Sequence, residues 1–110
     1  MLSGDRDVAR GRIGPFHVTL GGLAPHFHRV DVITPGAKDA KHQRVHDHVF
    51  VHPIFGNPIS RSKTISQKAA DLIKDRRYSL VISHDFGRFY NGIAAQSIKS
   101  DFGIPFISEI

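Results

Sequence analysis

The feature that most constrains the fold is a short apolar run, Leu-Val-Ile-Ser at residues 80–83, with a segment of helical periodicity on each side of it. An uninterrupted apolar strand, in contrast to an alternating one, is typical of a parallel sheet that is covered on both faces. Another strand is predicted at 106–110, after the second helical segment. Alternation of helix, strand, helix and strand favours right-handed βαβ units. The sequence therefore predicts an α/β fold with a parallel sheet.

Both helical segments carry recognisable end signals. The first is predicted to begin at Thr64, because Thr64 followed by Gln67 matches a capping box. The apolar stripe of this helix consists of Ile65, Ala69, Leu72 and Ile73. The second helix is predicted over 88–100, and it has two adjacent rows of residues, Phe89, Ile93 and Gln96 beside Tyr90, Ala94 and Ile98. Gly103 fits the left-handed position that often follows a helix.

The first half of the chain predicts one helix and two strands. The helix begins at Pro15, and its apolar residues are spaced to share one face: Phe16, Leu20 and Leu23. Residues 29–35 and 48–52 are rich in β-branched side chains, which predicts a strand in each. Residues 36–47 are polar and predict a loop between these strands, and residues 1–12 predict another loop.

Length and composition exclude several classes of protein. The chain has 110 residues, no cysteine and a formal net charge of +5. This length corresponds to one domain and is too short for a two-domain enzyme. The absence of cysteine excludes a disulfide scaffold and thiolate-bound zinc or iron–sulfur sites.

The positive charge suits anionic partners such as nucleic acid, phosphate esters or an anionic lipid surface. It is spread evenly along the chain with no basic tail, however, so nucleic-acid binding is not expected. No apolar stretch approaches the length of about 20 residues that a membrane span requires. Residues 1–12 are too polar for a secretory signal, and the predicted compartment is therefore the cytoplasm.

Polar side chains follow the strand at 80–83, at the edge where a parallel sheet binds its ligands. His84 can exchange a proton near neutral pH, and Asp85 can orient His84 or bind a hydroxyl group. Asp85 can equally cap the following helix while His84 packs on the turn, and both interpretations stay open. Asn91 is predicted either to donate to a sugar or phosphate oxygen or to be solvated. Glu109 either lies exposed at the edge or binds a hydroxyl group.

A glycine-bearing loop precedes the first helix. Gly11 and Gly14 lie in this loop, and glycine lets backbone N–H groups approach a phosphate at a helix N-terminus. The spacing matches neither the Walker loop nor the dinucleotide-binding pattern. A turn that requires glycine conformations explains the same residues without a ligand.

Eight histidines are many for this length. They include two His-x-His pairs, His26 with His28 and His46 with His48. A zinc site usually requires three or four ligands brought together, and no cysteine is available here. Surface or loop positions are the preferred interpretation, and no metal is predicted. The alternative is a metal-binding protein in which His42, His46 and His48 hold zinc.

Five sequence features occur in a recognisable order. Residues 28–34 read His-Arg-Val-Asp-Val-Ile-Thr, and residues 80–85 read Leu-Val-Ile-Ser-His-Asp. A helix with small residues follows, and then Gly-Ile-Pro-Phe-Ile-Ser-Glu-Ile at 103–110. Residues 11–23 combine the glycine loop with the first helix. Together these motifs resemble the N-terminal domain of glycosyltransferase family 4, the GT-B-fold group often called group 1, over residues 11–110.

The resemblance implies a Rossmann-like three-layer domain with a mostly parallel sheet in the strand order 3-2-1-4-5. In that family a hydrophobic first strand precedes the glycine loop, whereas only residues 1–3 are available for it here, so the first strand is expected to be largely missing. The family's donor-binding C-terminal domain is absent from these residues. Residues 1–110 are therefore predicted to form a single partial domain, the N-terminal half of a GT-B enzyme.

The function implied by the resemblance is that of the acceptor-side part of a glycosyltransferase, which moves a sugar from a nucleotide-sugar to a hydroxyl acceptor. Gly14 would approach the donor phosphate, and the acceptor side would be lined by His84, Asp85, Asn91 and Glu109, none of them assigned a catalytic role. No cofactor is expected, and peripheral contact with an anionic membrane is compatible with the charge. The 110 residues alone are expected to be inactive, because the diphosphate leaving group would lack its binding domain.

The alternative is a stand-alone binding module with a Rossmann-like or flavodoxin-like fold, which takes an anionic nucleotide or partner. This hypothesis predicts tight nucleotide binding and a cooperative thermal unfolding transition for the isolated chain.

Overall fold

The computed structural model describes residues 1–3, 5–6, 8–36, 41–57, 60–84 and 90–109. In these residues it contains α-helices and both parallel and antiparallel strand pairs, so the α/β prediction is confirmed. The strands form one three-stranded and one two-stranded sheet, each small. The chain divides into two compact units, Asp5–Phe55, and Met1–Gly4 together with Gly56–Ile110.

The unit Asp5–Phe55 is built on a mixed sheet of β1 (Val30–Pro35), β2 (Gln43–Val45) and β3 (Val49–Ile54). Its strand order is β1-β3-β2, with β3 parallel to β1 and antiparallel to β2. The prediction of a loop throughout 36–47 is wrong at β2. A three-residue polar strand has no apolar pattern of its own and is decided by its pairing with β3 across the turn at 46–48.

Helix α1 (Pro15–Leu23) begins at Pro15, as predicted, and continues into a 3-10 turn at Ala24–His26. It buries Phe16 and Leu20. Proline suits the first position because the N–H that it lacks would have no partner inside the helix. At Pro25 the same missing N–H and the proline ring disfavour a regular α-helix, so the chain tightens and then leaves the helix.

Polar contacts attach the start of the Asp5–Phe55 unit to its sheet. The carboxylate of Asp5 accepts a hydrogen bond of 2.9 Å from the backbone N–H of Val8, and the hydroxyl of Thr34 donates to the Asp5 carbonyl. The side-chain amide of Gln43 donates to the carbonyl of Ala9 at 2.6 Å. The sequence predicts this segment as a loop. These contacts hold it in a fixed position beside β1 and β2.

The other unit holds β4 (Val81–His84) and β5 (Phe106–Glu109), which are parallel and are connected by α3 (Tyr90–Phe102). A parallel pair joined through a helix is the βαβ unit that the alternating pattern predicts. Helix α2 (Arg61–Asp75) precedes β4 and contacts α3.

The ends of these helices follow the sequence prediction in one case and depart from it in another. The prediction that a capping box at Thr64 begins the helix is wrong, because α2 begins at Arg61 with Ser60 as its N-cap. The hydroxyl of Thr64 instead donates to the Ser60 carbonyl at 3.0 Å, and Asn57 accepts from the Ser60 backbone N–H at 3.0 Å. Gly103 follows α3 with a φ of 70°, as predicted, and its N–H donates to the carbonyl of Lys99.

A close approach at the end of β1 gives a stability prediction. A Cβ added to Gly36 would lie 2.8 Å from the ring of Phe55 and 2.9 Å from the Cβ of Pro53. We expect Gly36→Ala to lower the free energy of unfolding by about 1–3 kcal/mol, because Pro53 is held in β3 and has little room to yield. Urea unfolding followed by circular dichroism measures the change.

The matched control is Gly22→Ala. Gly22 lies inside α1, and a Cβ placed there would meet nothing within 4 Å. Alanine at this position should raise the free energy of unfolding by about 0.5–1 kcal/mol, because glycine loses more backbone entropy in a helix. Equal stabilities for the two variants would contradict the close approach at Gly36.

Candidate functional site

The carboxyl ends of β4 and β5 form the first candidate site. These strands are parallel and in register, so that His84 lies opposite Glu109 at their last positions. Open α/β folds bind ligands outside the carboxyl ends of parallel strands, at the edge where both strands stop. The backbones of two residues that the sequence predicts as binding groups, His84 and Glu109, are thus paired in the sheet.

Asn91 lies in the first turn of α3 and is buried, with 7% of its surface exposed. Its side-chain amide donates a hydrogen bond of 2.8 Å to the backbone carbonyl of His84. This bond holds Asn91, in the first described turn of α3, against the end of β4. A helix N-terminus next to a ligand-binding edge favours anionic or hydroxyl oxygen atoms.

Residues 1–3 reinforce this edge from the other side of β4. Leu2 forms a parallel bridge with Ser83, in which the Leu2 N–H donates to Ile82 at 2.7 Å and the His84 N–H donates to Leu2 at 2.9 Å. Leu2 and Ser83 are both buried. The last residues of β4 are therefore hydrogen-bonded on both sides, which holds the backbone of His84 in place.

Two other predicted site residues have different outcomes. Gly14 lies in the unit Asp5–Phe55, directly before α1, with an extended backbone. It acts as the N-cap residue of that helix and brings no side chain to the position. Asp85 lies outside the residues that the structure describes.

A second polar cluster, which sequence reasoning missed, lies on the β1–β3 sheet. The carboxylate of Asp31 accepts hydrogen bonds from Arg29, at 2.9 Å from Nε and 3.1 Å from Nη2. It also accepts a hydrogen bond of 2.8 Å from Nε2 of His52. The Asp31 side chain is only 2% exposed, so these are charge-assisted bonds to a buried carboxylate.

Two aromatic contacts complete this cluster. The guanidinium of Arg29 lies 3.9 Å from the centroid of the Phe50 ring, and the ring of His42 meets that of His52 edge-on, with centroids 5.4 Å apart. Since a carboxylate only accepts, His52 must carry its proton on Nε2. The arrangement orients the imidazole of His52 and compensates the charge of Asp31, which is the chemistry of a rigid structural network.

One signal in the sequence could have revealed this cluster. Asp31 interrupts an otherwise apolar strand, and a carboxylate buried in a strand requires a charged or hydrogen-bonding partner. Arg29 is two residues earlier and therefore points to the same side of the strand. His52 is opposite Ile33 in the register and so also shares that face, but the register is not readable from the sequence.

No model of a known protein family, no curated protein and no solved structure matches the chain. Among the residues that the structure describes, no group of three or more His, Cys, Asp or Glu side chains is arranged to hold a metal ion. No helix of this part of the chain is long and apolar enough to cross a membrane. Of the two clusters described above, the strand-end site lies at the carboxyl ends of parallel strands, where α/β folds bind ligands.

Proposed function

We propose that this chain supplies the acceptor-binding side of a glycosyltransferase that moves a sugar from a nucleotide-sugar to a hydroxyl acceptor. The observation that carries the proposal is the edge at which Asn91 ties α3 to His84 and His84 lies opposite Glu109. Imidazole and carboxylate groups at such an edge are suited to bind the hydroxyl groups of a sugar or another polyol.

The strand neighbours support the finer, Rossmann-like part of the proposal. The resemblance implies the order 3-2-1-4-5, in which four pairs of strands are neighbours: the third with the second, the second with the first, the first with the fourth, and the fourth with the fifth. Three of these four pairs have counterparts among the described residues, namely β1 with β3, Leu2 with β4, and β4 with β5, all parallel. The antiparallel β2 is an addition outside this scheme.

The roles that follow are those of binding groups. His84 would exchange a hydrogen bond with an acceptor hydroxyl, and Glu109 would accept one. Asp85, the next residue in the sequence after His84, would bind a further hydroxyl group. Asn91 would act as a positioning residue, since its amide already holds the His84 carbonyl. Transfer itself would require a donor-binding domain that stabilises the departing diphosphate, as the resemblance implies for the C-terminal domain of the family.

The proposal is tested by NMR titration of the 110-residue chain with methyl glucoside, methyl mannoside and UDP-glucose. We expect a glycoside to shift the amide signals near residues 84, 91 and 109. His84→Ala should weaken that binding about tenfold, the value of one hydrogen bond to a charged or strongly polar group. The control is His26→Ala, which changes an exposed histidine in the other unit.

Three results would count against the proposal. Release of sugar from UDP-glucose by the 110-residue chain alone would contradict the need for a second domain. Shifts confined to the unit Asp5–Phe55 would place the site elsewhere. Tight binding of UMP or AMP without any response to the glycosides would favour a nucleotide-binding module instead.

A further inference from the structure

Two histidines from different elements of the Asp5–Phe55 unit lie ring to ring. His17 belongs to α1 and His46 to the turn between β2 and β3, and their ring centroids are 4.4 Å apart with the planes tilted by 47°. Nε2 of His46 also lies 3.1 Å from the backbone carbonyl oxygen of His17. The pair therefore connects the helix to the turn.

The backbone is arranged to hold His46 in this position. His46 and Asp47 have φ angles of 46° and 63°, which lie in the left-handed region that residues with a Cβ seldom adopt. The ring of His46 lies over α1 at Gly21, where an added Cβ would be 3.1 Å from the His46 Cε1. The left-handed backbone of the turn and the glycine on the facing helix thus both contribute to the position of the His46 ring. Backbone strain of this kind is often found at functional sites.

The hydrogen bond of His46 defines which nitrogen is available. A carbonyl oxygen only accepts, so Nε2 of His46 is the donor and the neutral ring carries its lone pair on Nδ1. A metal-bound histidine characteristically donates its other ring N–H to a carboxylate or a backbone carbonyl in this way. His17 brings a second imidazole to the same place.

We propose that His17 and His46 bind one divalent transition-metal ion, such as Ni²⁺, Cu²⁺ or Zn²⁺, through one ring nitrogen each. Imidazole is a good ligand for these ions. Metal–nitrogen bonds are about 2.0–2.1 Å long, so two rings at this separation can occupy adjacent positions around one ion. Water or a bound ligand fills the remaining positions, which makes the site open and exchangeable.

The structure assigns other contacts to the histidines that the sequence pattern grouped with His46. Nε2 of His48 donates to the carbonyl of Ala24 at 2.5 Å, and the ring of His42 contacts that of His52. The pair proposed here therefore differs from the set of His42, His46 and His48 that spacing alone suggested.

Calorimetric titration of the untagged chain with NiCl₂, and separately with ZnCl₂, tests the proposal. We expect one ion per chain and a Kd that rises about tenfold or more in His17→Gln and in His46→Gln, which is the scale on which changes around a metal act. His26→Gln and His28→Gln should bind as the unchanged chain does, since both are exposed histidines of the same unit.

A second pair of variants tests the geometry without removing a ligand. Gly21→Ala should weaken Ni²⁺ binding several-fold, because the added methyl group pushes against the His46 ring, whereas Gly22→Ala should leave binding unchanged. The proposal is overturned if His17→Gln and His46→Gln bind Ni²⁺ as tightly as the unchanged chain. It is also overturned if His42→Gln or His48→Gln abolishes binding while those two variants retain it.

Discussion

Replacing Arg29 with methionine is expected to lower the free energy of unfolding by about 3 kcal/mol. Arg29 donates two hydrogen bonds to the carboxylate of Asp31, whose side chain is 2% exposed. Methionine retains an unbranched apolar side chain of similar reach but removes the positive charge, and with it the contact of the guanidinium with the Phe50 ring. A buried carboxylate that loses a bidentate cation bears much of its desolvation cost, and this makes the effect large. Urea unfolding at neutral pH measures it.

Three further variants identify the cause of the loss. Arg44→Met removes an exposed arginine from β2, which pairs with β3 and not with β1, and should change stability by less than about 0.5 kcal/mol. Arg29→Lys should fall between these values, because lysine keeps the charge without the two-pronged geometry. Adding Asp31→Asn to Arg29→Met should recover part of the loss, since a neutral amide costs less to bury. If Arg29→Met were no more harmful than Arg44→Met, the ion pair would contribute nothing.

The parts of the fold that the sequence predicts well are those decided by local pattern. The apolar run that contains Val81 becomes a strand, Pro15 begins α1, and Gly103 ends α3 with a positive φ. Each depends on a property of neighbouring residues, such as apolar continuity, a missing N–H or a missing Cβ. The parallel pairing of β4 with β5 also follows, because a helix between two strands allows it.

Other features are missed because the local pattern does not identify the partner, even where that partner is near in the chain. The β2 strand exists through its pairing with β3 across a short turn, although its own residues are polar. The start of α2 involves a contact between Asn57 and Ser60, whereas the sequence also offers a matching capping box at Thr64 that is not used.

The same distinction applies to the two clusters. The sequence places His84 and Glu109 at the carboxyl ends of their strands, and the backbone pairing of these two residues agrees with the rule that parallel strands end at one edge. The contact between Asp31 and His52 depends on the register of two strands whose contacting residues are 21 positions apart. A shift of one residue would turn His52 to the other face of the sheet, and nothing local to either strand fixes that register.

The rotation of helix α3 is a feature that the structure decides. The sequence predicts two adjacent rows of residues on this helix, one through Ile93 and one through Ala94 and Ile98. Ile98 is 2% exposed and Ala94 fully buried, whereas Ile93 is 58% exposed. The buried face also includes Asn91, the residue whose amide holds the end of β4. The rotation of α3 about its axis therefore determines both the core of this unit and the position of the proposed binding edge.

The rotation of α3 is tested by a pair of identical substitutions on the same helix. Ile98→Ala should lower the free energy of unfolding by about 3–4 kcal/mol, because it removes buried methyl and methylene groups and leaves a cavity. Ile93→Ala should cost less than about 0.5 kcal/mol, since the side chain is mostly in solvent and alanine favours a helix. Thermal and urea unfolding of both variants give the comparison.

The two isoleucines have equal volume and the same helical context, so the difference between their variants reports only which face of α3 is buried. A larger loss for Ile93→Ala than for Ile98→Ala would mean that the helix is rotated toward its other row. In that case Asn91 would no longer face the end of β4, and the binding edge of His84 and Glu109 would lose the contact that holds α3 beside it. Stability measurements on two alanine variants therefore test the geometry on which the proposed function depends.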